Sequence, residues 1–344
     1  MIVQQAPAES ARTRRQAEEP LLDVRHLSVE YLTARGAVRA VDDVSFALCR
    51  GEVFGLAGES GCGKSTIAHA ITRLLKPPAQ IAGGQVLFRG HDIMAMDPQT
   101  LRDFRWRKIS IVFQSAMNAL NPVISVGAHM ADTLQAHTAL SKREALDRGA
   151  DLLRIVGIES SRLKSYPHEL SGGMRQRVVI ALALALNPEL IIMDEPTTAL
   201  DVVVQKEILQ QIEDLKERFG FSILFITHDL SLLVEFSTRI AIMYAGRIVE
   251  LAPAGALFEQ PRHPYTVGLM NSFPSVTGPR REMRGISGSP PDLAAPPGGC
   301  RFHPRCPHVM AVCRTADPVL TEECTGCKVA CHLYPSSNER QARC

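Results

Sequence analysis

The sequence predicts an α/β fold built on a largely parallel sheet. Apolar strand-like segments alternate with helix-like segments over most of the first 250 residues, as is typical of parallel strands joined by crossover helices. One such strand, Glu52–Leu56, leads directly into the glycine-rich segment Gly58–Ser65, and a helix is predicted from Thr66 to Leu75. This strand–loop–helix order is the structural setting of a phosphate-binding loop.

Other strands are predicted wherever a short apolar run is bounded by turn residues. They are residues 22–24, 38–46, 109–113, 190–193 and 222–227, followed by a closing hairpin of residues 240–243 and 246–249. Residues 115–180 are predicted to form an inserted helical subdomain, because Ala131–Ile155 has apolar residues at helical spacing without a strand pattern.

The two ends of the chain differ in composition from this central part. Residues 1–20 are polar and charged, and we expect them to be disordered. After about Pro261 the chain is rich in proline and glycine, and Ser287–Gly299, with four prolines, suits an extended linker. We therefore expect a nucleotide-binding domain over residues 21–262 and a small cysteine-rich C-terminal extension over residues 263–344.

Composition narrows the classes of function. The chain has 45% hydrophobic residues and a formal net charge of +2, and this near-neutral balance argues against nucleic acid as the main partner. The apolar run Val178–Leu186 is too short to span a bilayer. The first 20 residues contain no apolar core of a signal peptide, so a cytoplasmic location is predicted.

The segment Gly58–Ser65 has the residue spacing of a loop that binds a nucleoside triphosphate. Its glycines let successive backbone N–H groups converge on phosphate oxygens at the start of a helix, whose dipole favours anions. Lys64 is expected to reach the β- and γ-phosphates of ATP, and the Ser65 hydroxyl to bind Mg²⁺. The predicted ATP-binding residues of this segment are Gly58, Glu59, Ser60, Gly61, Cys62, Gly63, Lys64, Ser65 and Thr66.

Two carboxylates, Asp194 and Glu195, follow the predicted strand of residues 190–193. A carboxylate at this position emerges at the carboxyl edge of a parallel sheet, beside the phosphates. Asp194 is therefore expected to hold Mg²⁺ through water. Glu195 would reach a water in line with the γ-phosphate, which makes it the candidate general base.

The segment Leu170-Ser171-Gly172-Gly173-Met174 lies between these two features, and with them it makes the sequence resemble the ATP-binding-cassette family. The resemblance implies a RecA-like P-loop NTPase core with an antiparallel β subdomain and the inserted α-helical subdomain. In that family the segment acts in trans, on the γ-phosphate held by an opposing cassette. Met174 stands where glutamine is commoner, but the phosphate-facing Ser-Gly-Gly is intact.

The same resemblance implies roles for residues elsewhere in the chain. Gln114 matches the glutamine that senses Mg²⁺ and the attacking water, His228 matches the switch histidine that contacts the γ-phosphate, and Asp201 lies in the D-loop. Tyr31 lies where the family stacks an aromatic ring on adenine, although a tyrosine on a half-buried strand is the alternative. The implied catalytic residues are thus Glu195, His228 and Gln114, and the implied Mg²⁺ ligands are Ser65, Gln114 and Asp194.

Three further segments resemble the ATPase subunits of dipeptide and oligopeptide importers, namely Gln114–Pro122, Tyr166–Leu170 and His263–Thr266. This resemblance implies a peripheral position at the cytoplasmic face of the membrane. The implied partners are a second ATPase subunit (a copy or a paralogue), two transmembrane permease subunits and, indirectly, an extracellular binding protein. Nickel and oligosaccharide importers share these features. A soluble cassette ATPase acting on nucleic acid is disfavoured by the single cassette and the neutral charge.

Seven of the nine cysteines lie between Cys300 and Cys344. Disulfides are not expected in a reducing compartment, so clustered thiols indicate a metal or a cluster. The spacing of Cys300, Cys306, Cys313 and Cys331 resembles the tail of this importer subfamily, where four cysteines can hold a [4Fe–4S] cluster. Zinc and unligated thiols are the alternatives, and a second possible ligand set consists of Cys324, Cys327, Cys331 and His332.

Overall fold

The structure is a computed structural model that describes residues 19–34, 36–114, 119–198, 200–272 and 285–334. The expected N-terminal tail lies almost wholly outside these ranges. The strands are β1 (Leu22–Thr33), β2 (Gly36–Leu48), β3 (Val53–Ala57), β4 (Ala79–Phe88), β5 (His91–Asp92), β6 (Ile109–Val112), β7 (Leu190–Asp194), β8 (Ser222–Ile226), β9 (Arg239–Tyr244), β10 (Arg247–Pro253), β11 (Thr321–Cys324) and β12 (Cys327–Val329). The α-helices are α1 (Lys64–Ile71), α2 (Pro98–Phe104), α3 (Val126–Gln135), α4 (Lys142–Ile155), α5 (Gly172–Ala183), α6 (Val202–Phe219), α7 (Leu230–Phe236), α8 (Ala254–Glu259) and α9 (Pro264–Asn271).

The main sheet has the strand order β11-β12-β10-β9-β3-β8-β7-β6 within the described ranges. The strands from β9 to β6 are parallel, and β10 joins β9 as the antiparallel hairpin expected from the sequence. Every residue of β3, β7 and β8 is buried, because helices cover both faces of this part of the sheet. Within the described ranges, no helix is both long and apolar enough to cross a membrane.

A second, antiparallel sheet has the order β2-β1-β4-β5. It shares one apolar core with α1 and the main sheet, where Val24 and Val86 pack in the same cluster as Ile67 and Ile226. The strand β4 was not predicted from the sequence. Its first six residues alternate between half-buried and exposed and include Gly83 and Gly84, which weakens an apolar pattern.

The C-terminal extension is built onto the main sheet. Strand β12 pairs with β10 through Glu250 opposite Val329 and Leu251 opposite Lys328. Phe302, which is 2% exposed, packs against Tyr244 of β9 and Tyr265 of α9. Part of the extension therefore lies in the same core as the nucleotide-binding domain.

A buried carboxylate fixes the point where the extension begins. Glu250 accepts hydrogen bonds from the backbone N–H groups of Arg262 (2.8 Å) and His263 (2.9 Å), and its burial raises its pKa. Burial also lowers the pKa of His263 to about 3. The ring of His263 is therefore neutral and accepts the N–H of Tyr265 at 3.1 Å, which caps α9.

One expectation about the cysteines is wrong. Cys324 and Cys327 form a disulfide in the structure, although no disulfide was expected in this chain. The tight turn between β11 and β12 places these residues opposite each other, with their Cα atoms 5.0 Å apart, which is within the range for such a bond. While this disulfide is formed, neither sulfur is available as a thiolate for the second possible ligand set.

Replacing Glu250 with alanine should destabilise the junction between the domain and its extension. Two buried backbone N–H groups would lose their acceptor, at a cost of about 1–3 kcal/mol for each group left unpaired. The free energy of unfolding, measured in urea, should fall by an amount in this range or above it. The control is Glu235→Ala, at an exposed position on α7, which should change it by less than about 0.5 kcal/mol. Equal losses in the two variants would contradict the anchoring role of Glu250.

Candidate nucleotide site

The loop between β3 and α1 is shaped by two close backbone approaches. Gly58 and Gly63 have φ angles of +152° and +108°, a region that residues with a side chain rarely adopt. A Cβ atom on Gly58 would collide with the carbonyl oxygen of Met243, and one on Gly63 with that of Ala40. Since β9 and β2 confine the loop in this way, its backbone has a fixed shape at the start of α1.

The side chain of Lys64 folds back over this loop. Its Nζ donates to the carbonyl oxygens of Gly58 (2.7 Å) and Glu59 (3.0 Å), and the residue is 5% exposed. The ammonium group is therefore held within the loop, close to the N–H groups at the start of α1. A positive charge and a helix N-terminus in one place suit the terminal phosphates of a nucleotide.

Asp194, the last residue of β7, is 1% exposed and its Oδ1 has no hydrogen-bond partner. Burial raises the pKa of this carboxyl group, and a hydrogen bond from the Ser65 hydroxyl partly opposes the shift. A buried carboxylate oxygen without a partner, next to a hydroxyl group, is an incomplete set of oxygen ligands. The arrangement fits Mg²⁺, which takes oxygen ligands and retains several of its waters.

Glu195 has a left-handed backbone, with φ of +48°, and its N–H donates to the carbonyl oxygen of Ile226 at 2.8 Å. Its carboxylate accepts hydrogen bonds from Gln114 Nε2 (2.8 Å) and Thr198 Oγ1 (3.1 Å), and lies 3.2 Å from His228 Nδ1. Partial burial opposes its ionisation, but these three partners outweigh burial and lower its pKa. The carboxylate is thus ionised and oriented, as a general base must be.

The three predicted catalytic residues meet at one edge of the sheet. Gln114 follows β6, Glu195 follows β7 and His228 follows β8, and these strands are neighbours. A cleft of about 290 Å³ opens beside them, and it is lined by Tyr31, Ala40, Ser60, Gly61, Gly63, Lys64, Ser65, Thr66, Gln114 and Glu195. Thr198 was not among the predicted site residues, because a threonine in a turn carries no periodic signal.

Tyr31 lies at the rim of this cleft. Its hydroxyl group is 3.2 Å from Thr66 Oγ1 and the residue is half-buried on β1. Tyr31 therefore lies on a half-buried strand and also lines the cleft. Stacking on adenine and a structural role on the strand are compatible.

The predicted signature segment lies elsewhere on the chain. Ser171 caps the N-terminus of α5 by accepting the N–H of Met174 at 3.3 Å, and Gly172 and Gly173 form the first turn. Leu170 is buried, whereas Ser171 is exposed, and none of these residues lines the cleft. The N-terminus of α5 is thus not part of the lining of the nucleotide cleft of its own chain.

Asp201 lies close to an exposed apolar pair that the sequence analysis did not identify. Its Oδ1 accepts the N–H groups of Val203 (3.1 Å) and Val204 (3.0 Å) and so caps α6. The side chains of Val202 and Val203 are 69% and 68% exposed in the single chain. Large apolar side chains exposed at a helix start suit a contact surface.

The four cysteines proposed as cluster ligands converge in the extension. Burial raises the pKa of Cys331 to about 11, and the nearby thiols of Cys300, Cys306 and Cys313 add to the shift. The pKa of Cys300 is also about 11, for the same reason. Among the residues that the structure describes, however, no three His, Cys, Asp or Glu side chains are placed to hold a metal ion.

Comparison with known proteins identifies two regions of this chain. A family model described as "ABC transporter" matches residues 41–198. A second, described as "Oligopeptide/dipeptide transporter, C-terminal region", matches residues 249–313. The first range contains the phosphate-binding loop and both carboxylates, and the second begins on β10 and includes three of the four converging cysteines.

The chain is also similar to several curated proteins over most of its length. It is 46% identical to the probable peptide ABC transporter ATP-binding protein y4tR of Sinorhizobium fredii, over 90% of this chain and 94% of that protein. It is 42% identical to the dipeptide transport ATP-binding protein DppD of Bacillus subtilis, over 93% and 97%. It is 43% identical to the oligopeptide transport ATP-binding protein OppD of Salmonella typhimurium, over 90% and 93%.

Among solved structures, the fold matches a dimeric post-hydrolysis state of the ATP-binding cassette MJ0796 bound to ADP and Pi. The TM-score is 0.61 at 28% identity, over 68% of this chain and 98% of that one. The cbiO1 protein of Clostridium perfringens, part of the ABC transporter complex cbiONQ, gives a TM-score of 0.60 at 28% identity, over 71% and 92%. With the cassette fold, the assembled site and these relatives in agreement, the chain belongs to the ABC transporter family, among its dipeptide and oligopeptide transport ATP-binding proteins.

Proposed function

We propose that this chain is the ATP-hydrolysing subunit that powers the import of peptides through a membrane ABC transporter. The proposed ATP hydrolysis is supported by one observation above all. The carboxylate of Glu195 is oriented by Gln114, Thr198 and His228 beside the cleft that contains Lys64. The peptide cargo is supported by the relatives and by the match to the peptide-transporter C-terminal region.

Hydrolysis breaks the bond between the γ-phosphorus and the β–γ bridging oxygen when a water attacks in line. Glu195 orients this water and takes its proton as the new P–O bond forms, and the products are ADP and phosphate. Lys64 and the loop N–H groups stabilise the charge on the phosphate oxygens. His228 lies 3.2 Å from the Glu195 carboxylate and would contact the γ-phosphate.

Mg²⁺ would be held by the hydroxyl of Ser65 and, partly through water, by Asp194 and Gln114. It would neutralise charge on the β- and γ-phosphates when bound. The partnerless Oδ1 of Asp194 supports this assignment. Adenine would stack on Tyr31 at the cleft rim.

Two cassettes would close each nucleotide site between them. Ser171, Gly172 and Gly173 do not line the cleft of their own chain, and the N-terminus of α5 suits a γ-phosphate held by an opposing cassette. Asp201 and the exposed Val202 and Val203 would belong to this interface. Two permease subunits would join the assembly at the cytoplasmic face of the membrane, and an extracellular binding protein would deliver the peptide.

The converging thiols of the extension would hold a [4Fe–4S] cluster. Cys300, Cys306, Cys313 and Cys331 would supply the four sulfur ligands that such a cluster takes. The raised pKa values of Cys300 and Cys331 mean that ligation must release thiol protons.

Replacing Glu195 with glutamine should lower ATP turnover by about 10²–10⁴, the range for loss of a general base. The amide can still accept a hydrogen bond from Thr198 but cannot take a proton, so the affinity for Mg-ATP should be largely kept. Phosphate release and nucleotide binding are measured on the same preparation. Turnover at the rate of the parent protein would contradict the role of Glu195.

Mg-ATP should join two cassettes when hydrolysis is blocked. The Glu195→Gln protein should sediment as a dimer with Mg-ATP and as a monomer without it, either alone or with a paralogous subunit. Adding Ser171→Arg should abolish this dimer by placing a bulky side chain at the partner's γ-phosphate. Ser160→Arg, at an exposed serine outside the signature segment, is the matched control. An assembly that does not depend on ATP would contradict the shared site.

Anaerobically purified protein should absorb broadly near ~400 nm and contain about four irons per chain. Replacing Cys300, Cys306, Cys313 or Cys331 with serine should release the iron. Cys49→Ser, which changes a cysteine of the nucleotide-binding domain, should leave the iron content as in the parent. Elemental analysis decides, since stoichiometric zinc without iron would contradict the cluster.

A further inference from the structure

The phosphate-binding loop contains a carboxylate that faces the C-terminal extension. Glu59 is the second residue of the loop, and its side chain forms a paired contact with Arg305. Arg305 Nη1 lies 2.8 Å from Glu59 Oε2 and Nη2 lies 3.0 Å from Oε1. This parallel, two-point geometry is the strongest that an arginine and a carboxylate can adopt.

The guanidinium of Arg305 is fixed by the extension itself. Its side chain is 6% exposed, and its Nε donates to the carbonyl oxygen of Ser287 at 3.0 Å. It also lies over the ring of Tyr244, 5.7 Å from the centroid, and donates to the hydroxyl of that residue at 3.3 Å. An arginine with so many partners in a buried position presents its charge to Glu59 in one orientation.

The extension also holds the main chain of the same loop residue. The N–H of Glu59 donates to the hydroxyl of Tyr265 at 2.9 Å, and Tyr265 is fully buried on α9. The carbonyl oxygen of Glu59 accepts the ammonium of Lys64 at 3.0 Å. The side chain, N–H and carbonyl group of one loop residue are therefore all engaged, two of them by residues of the extension.

The charge of Glu59 needs compensation when a nucleotide binds. The loop accepts a triphosphate with several negative charges, and a carboxylate in the same loop would repel it. Arg305 is the cation that lies against this carboxylate, and with the Arg305 side chain 6% exposed and the Glu59 side chain 25% exposed the pair is only partly screened by solvent. The pair presents nearly zero net charge to the phosphates.

We propose that Arg305 is a positioning residue for ATP, which neutralises Glu59 and, together with Tyr265, holds the phosphate-binding loop in its binding conformation. The extension thus forms an outer wall of the nucleotide site, although it contains none of the residues that line the cleft. This inference rests on the ATP hydrolysis proposed above. It goes beyond that proposal by making nucleotide affinity depend on a residue 246 positions from Glu59.

The test compares Arg305→Met with the double variant Glu59→Gln/Arg305→Met in the full-length chain. The single variant leaves a carboxylate without its cation beside the phosphates, and Kd and KM for Mg-ATP should rise about tenfold, the effect of one unit charge at about 10 Å in a protein environment. The kcat at saturating ATP should stay within about twofold, since Glu195, Gln114 and His228 are untouched. The double variant should recover most of the lost affinity, because no charge remains unpaired.

Two further variants separate charge from packing. Arg305→Lys keeps the charge without the paired hydrogen bonds, so it should raise KM less than Arg305→Met does, and it is also the variant to use if the methionine protein does not fold. Asp317→Asn removes a different ion pair between domain and extension, the 2.8 Å contact with Arg247. It should lower thermal stability while leaving the Kd for Mg-ATP at the parent value.

The outcomes are distinct. If the double variant binds ATP as weakly as Arg305→Met does, or if kcat falls while KM is unchanged, the neutralising role of Arg305 is overturned. If Arg305→Met and the parent bind Mg-ATP equally well, the loop does not depend on this contact and the proposal also fails. Failure of the parent protein to bind or hydrolyse ATP would instead refute the proposed function. This outcome is measured on the parent protein, without any of the variants.

Discussion

The nucleotide site depends on how closely the backbones of β2 and β9 approach the loop after β3. At Gly58 and Gly63 the carbonyl oxygens of these neighbouring strands occupy the space that a Cβ atom would need. This contact fixes the backbone at the start of α1, and with it the place of Lys64 and Ser65. The position of the loop relative to Asp194, at the end of β7, follows from the pairing of β3 with β8 and of β8 with β7.

The order of the parallel strands decides which residues meet at the nucleotide-binding edge of the main sheet. Because β6, β7 and β8 are neighbours, the residues that follow them meet around one carboxylate. The left-handed backbone of Glu195, which is uncommon for a residue with a side chain, is held by a hydrogen bond to the end of β8. Local strain at a functional residue is tolerated where the surrounding structure determines it in this way.

The extension belongs physically to the nucleotide-binding domain. It continues the main sheet through β12, contributes Phe302 to the same core, and contacts the phosphate-binding loop through Arg305 and Tyr265. Arg305 immediately precedes Cys306, so the segment that pairs with Glu59 also carries one of the converging thiols. The buried carboxylate of Glu250 fixes the start of this segment by binding two of its N–H groups.

The sequence by itself determined the features that depend on local order. A glycine spacing next to a strand and a helix predicted the loop, and polar residues directly after an apolar run predicted Asp194 and Glu195, because these relations lie within a few consecutive residues; His228 was predicted from the family resemblance. Only the tertiary structure decided β4, the role of Thr198, the disulfide and the pairing of Glu59 with Arg305. In each of these the partners are brought together by folding, and a charge or a hydroxyl group has no periodic pattern that reveals its distant partner.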